Sequence, residues 1–409
     1  MKRLKKYIKL IHWVIFSWRG KVWFLLSFLD FLKVPKQKWT KRAILKQIFF
    51  QRYLRGVESI FTFKQILRVC ITYRCNLICR YCYAKGIENN FSNDMNLKDF
   101  LNLVIWAKDR GWKIIRFLGG EPTIHYHFRE MLDICYQNKM YVGMSTNNIF
   151  SSQIGIKLDK SWIDFFSINY VFDALDNKQK SVFRDNLKQL AVKEIPFDLS
   201  CIISNREDNW SEIFKDALHY KAMCIRASIV IPGLSKQTSI SDLTCNFKLI
   251  SQKIFKFQES CIKLNIPFYI YRPLMPCMFS SEEWQRLKGS FPFICYTRCP
   301  LGAKGDYSST VVVNPDLSIF PCIAVFMKGP NVLSFKDREE ISNFYKDKIK
   351  QILSEPLMDL CKTCERRRNF LYDLEKGSTS DLKSCFDENL CQGGCLSFKE
   401  NAQSVCQME

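Results

Sequence analysis

The chain has 409 residues, 47% of them hydrophobic and 25% charged, with 19 cysteines and a formal charge of +21. That hydrophobic fraction excludes a disordered polymer, and the length allows a full catalytic core plus a smaller module. The cysteines are bunched in metal-ligand spacings along a long chain, which excludes a small secreted disulfide scaffold and favours a reducing, cytoplasmic setting.

Residues 1–62 read as a basic, aromatic-rich helical extension. Up to Cys70 the chain holds about seventeen Lys and Arg against only Asp30 and Glu58. Its two apolar stretches, Leu10–Trp18 and Val22–Leu29, are each about half the roughly twenty residues of a bilayer span. Arg19 and Lys21 separate them, and no signal-cleavage pattern follows. Basic side chains interleaved with Trp, Phe and Leu suit a helix lying in an anionic membrane interface. They equally suit amphipathic helices with a solvated basic face, or a dock for an acidic peptide or polyanion. Specific nucleic-acid binding is not expected, because no recognition module is visible.

From about residue 63 apolar, strand-like runs alternate with amphipathic helical stretches, the pattern of successive β-α units. The strands are expected at Leu67–Tyr73, Lys113–Leu118, Tyr141–Thr146, Ile163–Asn169, Phe197–Ile203 and Ile225–Ile231, with helices such as Leu97–Asp109 and Asn177–Val192 between them. Past Gly233 the alternation fades.

The loop after the first strand carries Cys75, Cys79 and Cys82. Three thiolates can hold three irons of a 4Fe-4S cubane and leave the fourth open to another ligand. A zinc knuckle would supply a fourth Cys or His within its own run. Behind the second strand stands Gly119-Gly120-Glu121-Pro122. Cys-x3-Cys-x2-Cys, with Tyr81 ahead of the third thiol, together with Gly-Gly-Glu-Pro resembles the radical S-adenosylmethionine (radical SAM) enzymes.

The resemblance implies an α/β fold built on a partial (βα)6 TIM-like barrel, residues 63–275, whose site lies at the strand C-terminal ends. It implies that SAM occupies the open iron and that Gly119, Gly120, Glu121 and Pro122 hold its amine. Glycines let carbonyls approach a ligand, and a carboxylate complements an ammonium. Thr146-Asn147-Asn148 resembles the Thr-Asn-Gly that ends the third strand in relatives; Asn is the residue that best replaces Gly in a left-handed turn. Ser167 and Asn169 take the place of ribose contacts, and Arg226 is a candidate for the SAM carboxylate. Each of these also reads as a polar residue serving a local backbone group. His125 and His127 tempt a metal reading, but relatives carry a His at the first position with no ligand role.

Residues 276–409 hold Cys295, Cys299, Cys322, Cys361, Cys364, Cys385, Cys391, Cys395 and Cys406. This set resembles the SPASM extension of radical SAM enzymes, a small cysteine-rich domain with two auxiliary 4Fe-4S clusters. By analogy one cluster takes Cys295 or Cys299, or both, with Cys322 and Cys395, and the other Cys361, Cys364, Cys391 and Cys406, with Cys385 a spare or alternative ligand. Two departures loosen the match: Leu317 stands where relatives have the glycine ahead of the second thiol, and residues 365–390 replace a short spacer. Zinc at Cys361-x2-Cys364 is the alternative. Cys70, Cys135, Cys201, Cys224, Cys245 and Cys261 read as core packing, whereas Cys277 is a candidate catalytic acid or ligand.

The expected activity is reductive cleavage of SAM to a 5'-deoxyadenosyl radical. That radical abstracts a substrate hydrogen, leading to an oxidative crosslink or dehydrogenation in a peptide or protein. A flavodoxin or ferredoxin would supply the low-potential electron. The alternatives are a membrane-associated enzyme acting on a carbohydrate or lipid-linked substrate, and a non-catalytic iron-sulfur electron carrier. A carrier has no need of a SAM motif or an open iron.

Overall fold

The computed structural model describes residues 66–79, 81–91, 94–150, 163–204, 209–230, 246–270, 272–290, 301, 306–376 and 390–399. The basic extension, Cys245, Cys295, Cys299, Cys385 and Cys406 lie outside them. One sheet of ten strands runs through the described residues in the order β10-β9-β8-β1-β2-β3-β4-β5-β6-β7. Strands β1 (Ile66–Cys70), β2 (Ile114–Leu118), β3 (Tyr141–Thr146), β4 (Phe165–Asn169), β5 (Phe197–Ile203), β6 (Ile225–Ile229) and β7 (Phe268–Ile270) follow one another in parallel. All their C-terminal ends therefore face one side, where the cluster loop and the Gly-Gly-Glu motif both emerge.

The helices between them are α1 (Leu97–Asp109), α2 (Phe128–Gln137), α3 (Asn177–Val192), α4 (Ser211–His219) and α5 (Phe247–Lys263). Helix α1 shows why they form where they do. The Asn96 side chain accepts from the Asp99 amide at 2.9 Å and caps the start. Phe100, Leu103, Val104 and Ala107 then recur at helical spacing and are buried. Phe100 stacks on Phe117 of β2 at 5.7 Å between ring centroids, and each such fully buried ring stabilises by roughly 1.5–3 kcal/mol. In α3 Asp176 and Gln179 form a reciprocal capping box.

The sheet is an open, mostly parallel one, as the α/β pattern implies, but it exceeds six strands at both ends. Helix α5 and β7 form a seventh unit beyond Gly233. Only three residues long, β7 is a strand by virtue of pairing with β6, which no short run announces. On the other side β8 (Val312–Val313) pairs in parallel with β1, and the antiparallel β9 (Ser318–Phe320) and β10 (Gly329–Asn331) extend the edge. The expected boundary near residue 275 is thus bridged by main-chain hydrogen bonds. Arg68 of β1 also donates to the Ser309 carbonyl at 3.1 Å, and Tyr73 to the Asn314 side chain at 2.7 Å.

The C-terminal part continues with α6 (Ser281–Ser290), placed before β8, and with α7 (Arg338–Ser354), α8 (Leu360–Thr363) and α9 (Glu365–Lys376). Leu317, at the turn into β9, has φ +65° and is buried. The backbone adopts the left-handed conformation that favours glycine, while the leucine side chain is buried in the core.

Candidate functional site

Strand β1 ends at Cys70, three residues before the expected Tyr73, because Thr72 and Tyr73 leave the sheet for other partners. Thr72 donates to Asp94 at 2.6 Å, and Arg74 forms a forked ion pair with the same carboxylate, its Nε at 3.2 Å. This fixes the approach to Cys75. The Gly-Gly-Glu turn is laid directly against it: the Gly120 amide donates to the Thr72 carbonyl and the Glu121 amide to the Arg74 carbonyl, both at 2.9 Å. A side chain at Gly119 or Gly120 would drive into those carbonyls, and Gly119 also has φ +117°. Tyr83, directly after Cys82, bonds the same turn, its hydroxyl donating to the Gly119 carbonyl at 2.9 Å and lying 3.2 Å from its amide. Tyr81 reaches the end of β5, 3.0 Å from the Ser204 hydroxyl.

Glu121 is fully buried. Its carboxylate accepts from the Thr123 amide and hydroxyl at 3.2 and 2.7 Å, from the Thr146 hydroxyl at 2.9 Å and from the Asn147 amide at 2.7 Å. Burial raises its pKa, and these donors work against the rise. The carboxylate thereby ties the motif to the end of β3. Pro122 opens a short 3-10 turn, Pro122–Ile124. Asn147 in turn donates to Asn76 at 2.7 Å and lies 3.7 Å from the Cys75 sulfur. Asn148 has φ +63°, the left-handed turn expected of a Gly replacement, and its side chain donates to the Phe183 carbonyl.

Ser167 and Arg226 are buried together. Arg226 donates to the Ser167 hydroxyl, Ser167 donates to Asp198 at 2.8 Å, and Arg226 and Asp198 form an ion pair at 4.0 Å. Asn169 is exposed at the end of β4. His125 is buried: its Nδ1 accepts from the His127 amide at 3.1 Å, which leaves Nε2 to donate to the Met95 carbonyl at 3.0 Å. His127 pairs with Glu130 at the start of α2. Neither imidazole points to ligand duty.

Cys75 is exposed, and Cys79 and Cys82 half-buried. Burial pushes the Cys79 thiol up to about 12, and the neighbouring Cys82, Cys75 and Glu121 add to the rise. Acids this close disfavour one another's charge until a cation joins them. Among the described residues no three His, Cys, Asp or Glu side chains stand in the geometry of a single bound metal ion. The donor chemistry nevertheless fits an iron-sulfur group: three thiols on one loop, beside a glycine turn that a Cβ would fill.

Further along the chain, half-buried Cys322 lies near Cys395, whose sulfur is 3.9 Å from Arg272. Cys361 lies within α8 and Cys364 caps its end, and Cys391 is buried close to both. Cys70, Cys135, Cys201, Cys224 and Cys261 are buried, as core packing requires, while Cys277 is exposed.

Residues 69–181, which run from β1 through the cluster loop, the glycine motif and β3 into α3, match the profile of the radical SAM superfamily. The chain carries a radical SAM domain. Members of that superfamily are enzymes and use a 4Fe-4S cluster and SAM. Among curated relatives, GTP 3',8-cyclase of Desulforamulus reducens is 29% identical over 29% of this chain and 36% of its own length. A probable GTP 3',8-cyclase of Methanosarcina mazei is 32% identical over 27% and 33%. The chain thus spans about a third of the length of these relatives. Solved structures share the fold far more widely. Streptococcus suis SuiB bound to S-adenosylmethionine has a TM-score of 0.54 at 16% identity, covering 90% of this chain and 83% of that one. Native anSMEcpe with bound AdoMet has a TM-score of 0.55 at 15% identity, covering 82% and 91%.

Sequence reasoning missed Asp94, Asn76 and Asp198. Asp198 did leave a signal: an acid inside an apolar strand, which only a buried partner makes tolerable.

Proposed function

We propose that this chain is a radical SAM enzyme that oxidatively modifies a peptide or protein, by crosslink or dehydrogenation. The observation that carries the reading is the pair of hydrogen bonds by which the Gly120 and Glu121 amides hold the Thr72 and Arg74 carbonyls, laying the glycine turn against the chain that leads into the three-thiol loop. When bound there, the cluster and SAM supply a one-electron cleavage to methionine and a 5'-deoxyadenosyl radical, which takes hydrogen from an unactivated C–H bond.

The chain's own part is placement. Cys75, Cys79 and Cys82 hold three irons. The backbone of Gly119 and Gly120 receives the methionyl amine, with the Glu121 charge behind it. Thr146 and Asn147 hold that carboxylate in position, and Asn147 reaches the Cys75 sulfur. Ser167, Asn169 and Arg226, on the same side of the sheet, are the candidate contacts for the nucleoside and carboxylate.

A peptide substrate is favoured over a nucleotide by extent of likeness. The GTP cyclase relatives match about a third of the chain, whereas the SuiB fold, also known bound to precursor peptide SuiA, extends over 90% of it. Net oxidation needs an acceptor for the remaining substrate electron, and an auxiliary cluster on C-terminal thiols would serve as one. No helix among the described residues is long and apolar enough to cross a membrane.

Anaerobic reconstitution followed by SAM and dithionite tests the reading. The expected products are methionine and 5'-deoxyadenosine, with loss of two hydrogens from a peptide encoded beside the gene. Absence of 5'-deoxyadenosine, or turnover of GTP in place of peptide, overturns it.

A further inference from the structure

We propose that Cys277 completes a four-thiol iron-sulfur site with Cys361, Cys364 and Cys391, in the place that the resemblance to SPASM extensions gives to Cys406. The proposal rests on the reading of the chain as a radical SAM enzyme with auxiliary clusters, and it changes which residues build one of them.

Three separate segments are brought together here. Cys277 sits in the 3-10 turn Pro276–Met278, which follows β7 and is held by the Met278 amide on the Met275 carbonyl at 3.0 Å. Loop 391–394 lies directly against that turn: the space a side chain at Gly394 would take is bounded by the Met275 sulfur at 3.2 Å. The same loop is bonded to the start of α9, the Cys391 amide donating to the Arg366 carbonyl at 3.1 Å and Arg367 to the Gln392 carbonyl at 2.9 Å. Cys364 caps α8 one residue before α9 begins, and Cys361 lies within α8. Each of Cys361, Cys364 and Cys391 lies within electrostatic reach of Cys277, and Cys277 is the exposed member.

A second observation concerns the charges packed beside the thiols. Arg367 and Lys399 are both buried beside them, and both donate to the Leu353 and Glu355 carbonyls at the end of α7; the Lys399 bonds are 3.1 and 2.9 Å. Two buried cations side by side need anions. Glu355 supplies one beside Lys399, and the thiols add to it: Cys361 and Cys391 interact with both cations, and Cys364 with Arg367. Deprotonated sulfur ligands bearing a cluster are the species such a setting accommodates.

The test is differential alkylation of the full chain, iron-loaded and after chelation, read by mass spectrometry, with iron counts and EPR. Iron loading is expected to protect Cys277 together with Cys361, Cys364 and Cys391, and chelation to expose all four. Cys277→Ala is expected to lose about four irons per chain and one EPR signal, while the SAM-responsive signal of the Cys75, Cys79 and Cys82 cluster persists as evidence of folding. Cys406→Ala is expected to keep that iron. Equal labelling of Cys277 in both states, or full iron in Cys277→Ala, overturns the proposal. Equal labelling of Cys75, Cys79 and Cys82 in both states would instead sink the radical SAM reading itself, so the two failures are distinguishable.

Discussion

A side chain at Gly120 would overlap the carbonyl oxygen of Arg74, the residue that leads into the first cluster thiol. The obstacle is backbone on both sides, so neither partner can swing away. Gly120→Ala is expected to destabilise the iron-free protein by about 1–3 kcal/mol and to abolish iron loading at the first site. Gly111→Ala is the control, since Gly111 has φ +79° but open space around it; urea unfolding should show strain there without loss of iron.

Glu121 accepts four protein hydrogen bonds. Glu121→Gln places an amide N–H where donors already point, and it removes the charge behind the glycine turn. The expected result is about 1–3 kcal/mol of lost stability with a larger, separable loss of SAM affinity, read by anaerobic calorimetry. Unchanged SAM binding would assign Glu121 to structure alone.

The buried pair of Arg226 and Asp198 predicts an asymmetric response. Asp198→Leu removes the carboxylate that faces the buried guanidinium and should destabilise by about 3–5 kcal/mol. Replacing both partners by leucine should restore much of the loss, as a double-mutant cycle in urea would measure.

His125 gives a pH dependence with a definite sign. Burial lowers its pKa below the ordinary 6.5, with Asp94 opposing. Between the folded value and 6.5 the unfolded chain holds a proton that the folded chain does not, so stability rises with pH across that window and falls as pH drops through it. His125→Phe should flatten this part of the stability profile. A profile identical to the parent's would refute the assignment.

Leu317 sets two effects against each other. Relief of its left-handed backbone would favour glycine by about 1–2 kcal/mol, while the buried leucine side chain contributes roughly 1.5–3 kcal/mol. Burial wins, and Leu317→Gly should lose about 1 kcal/mol in chemical denaturation.

Much of the fold is legible because local pattern decides it. The helices Leu97–Asp109 and Asn177–Val192 and the strands at Tyr141–Thr146 and Phe197–Ile203 have the bounds that periodicity implies. What the pattern lacks is pairing. Val312–Val313 is a strand because Arg68 and Val69 lie alongside it, and two valines carry no such message. At the site the cysteine spacing and the glycines were legible, since each is a local requirement. The inward turn of Glu121 to Thr146, the joining of Ser167, Asp198 and Arg226, and the place of Cys277 beside Cys391 were not, because each depends on which strand end faces which.

Strand β10 is the sequence Gly329-Pro330-Asn331 at one margin of the sheet. Proline has no amide hydrogen to offer a newcomer, so that margin cannot template the addition of another chain. Among the described residues the other margin is β7, a strand of three residues. A sheet ten strands wide would otherwise invite lateral growth; here one proline guards one side and brevity the other.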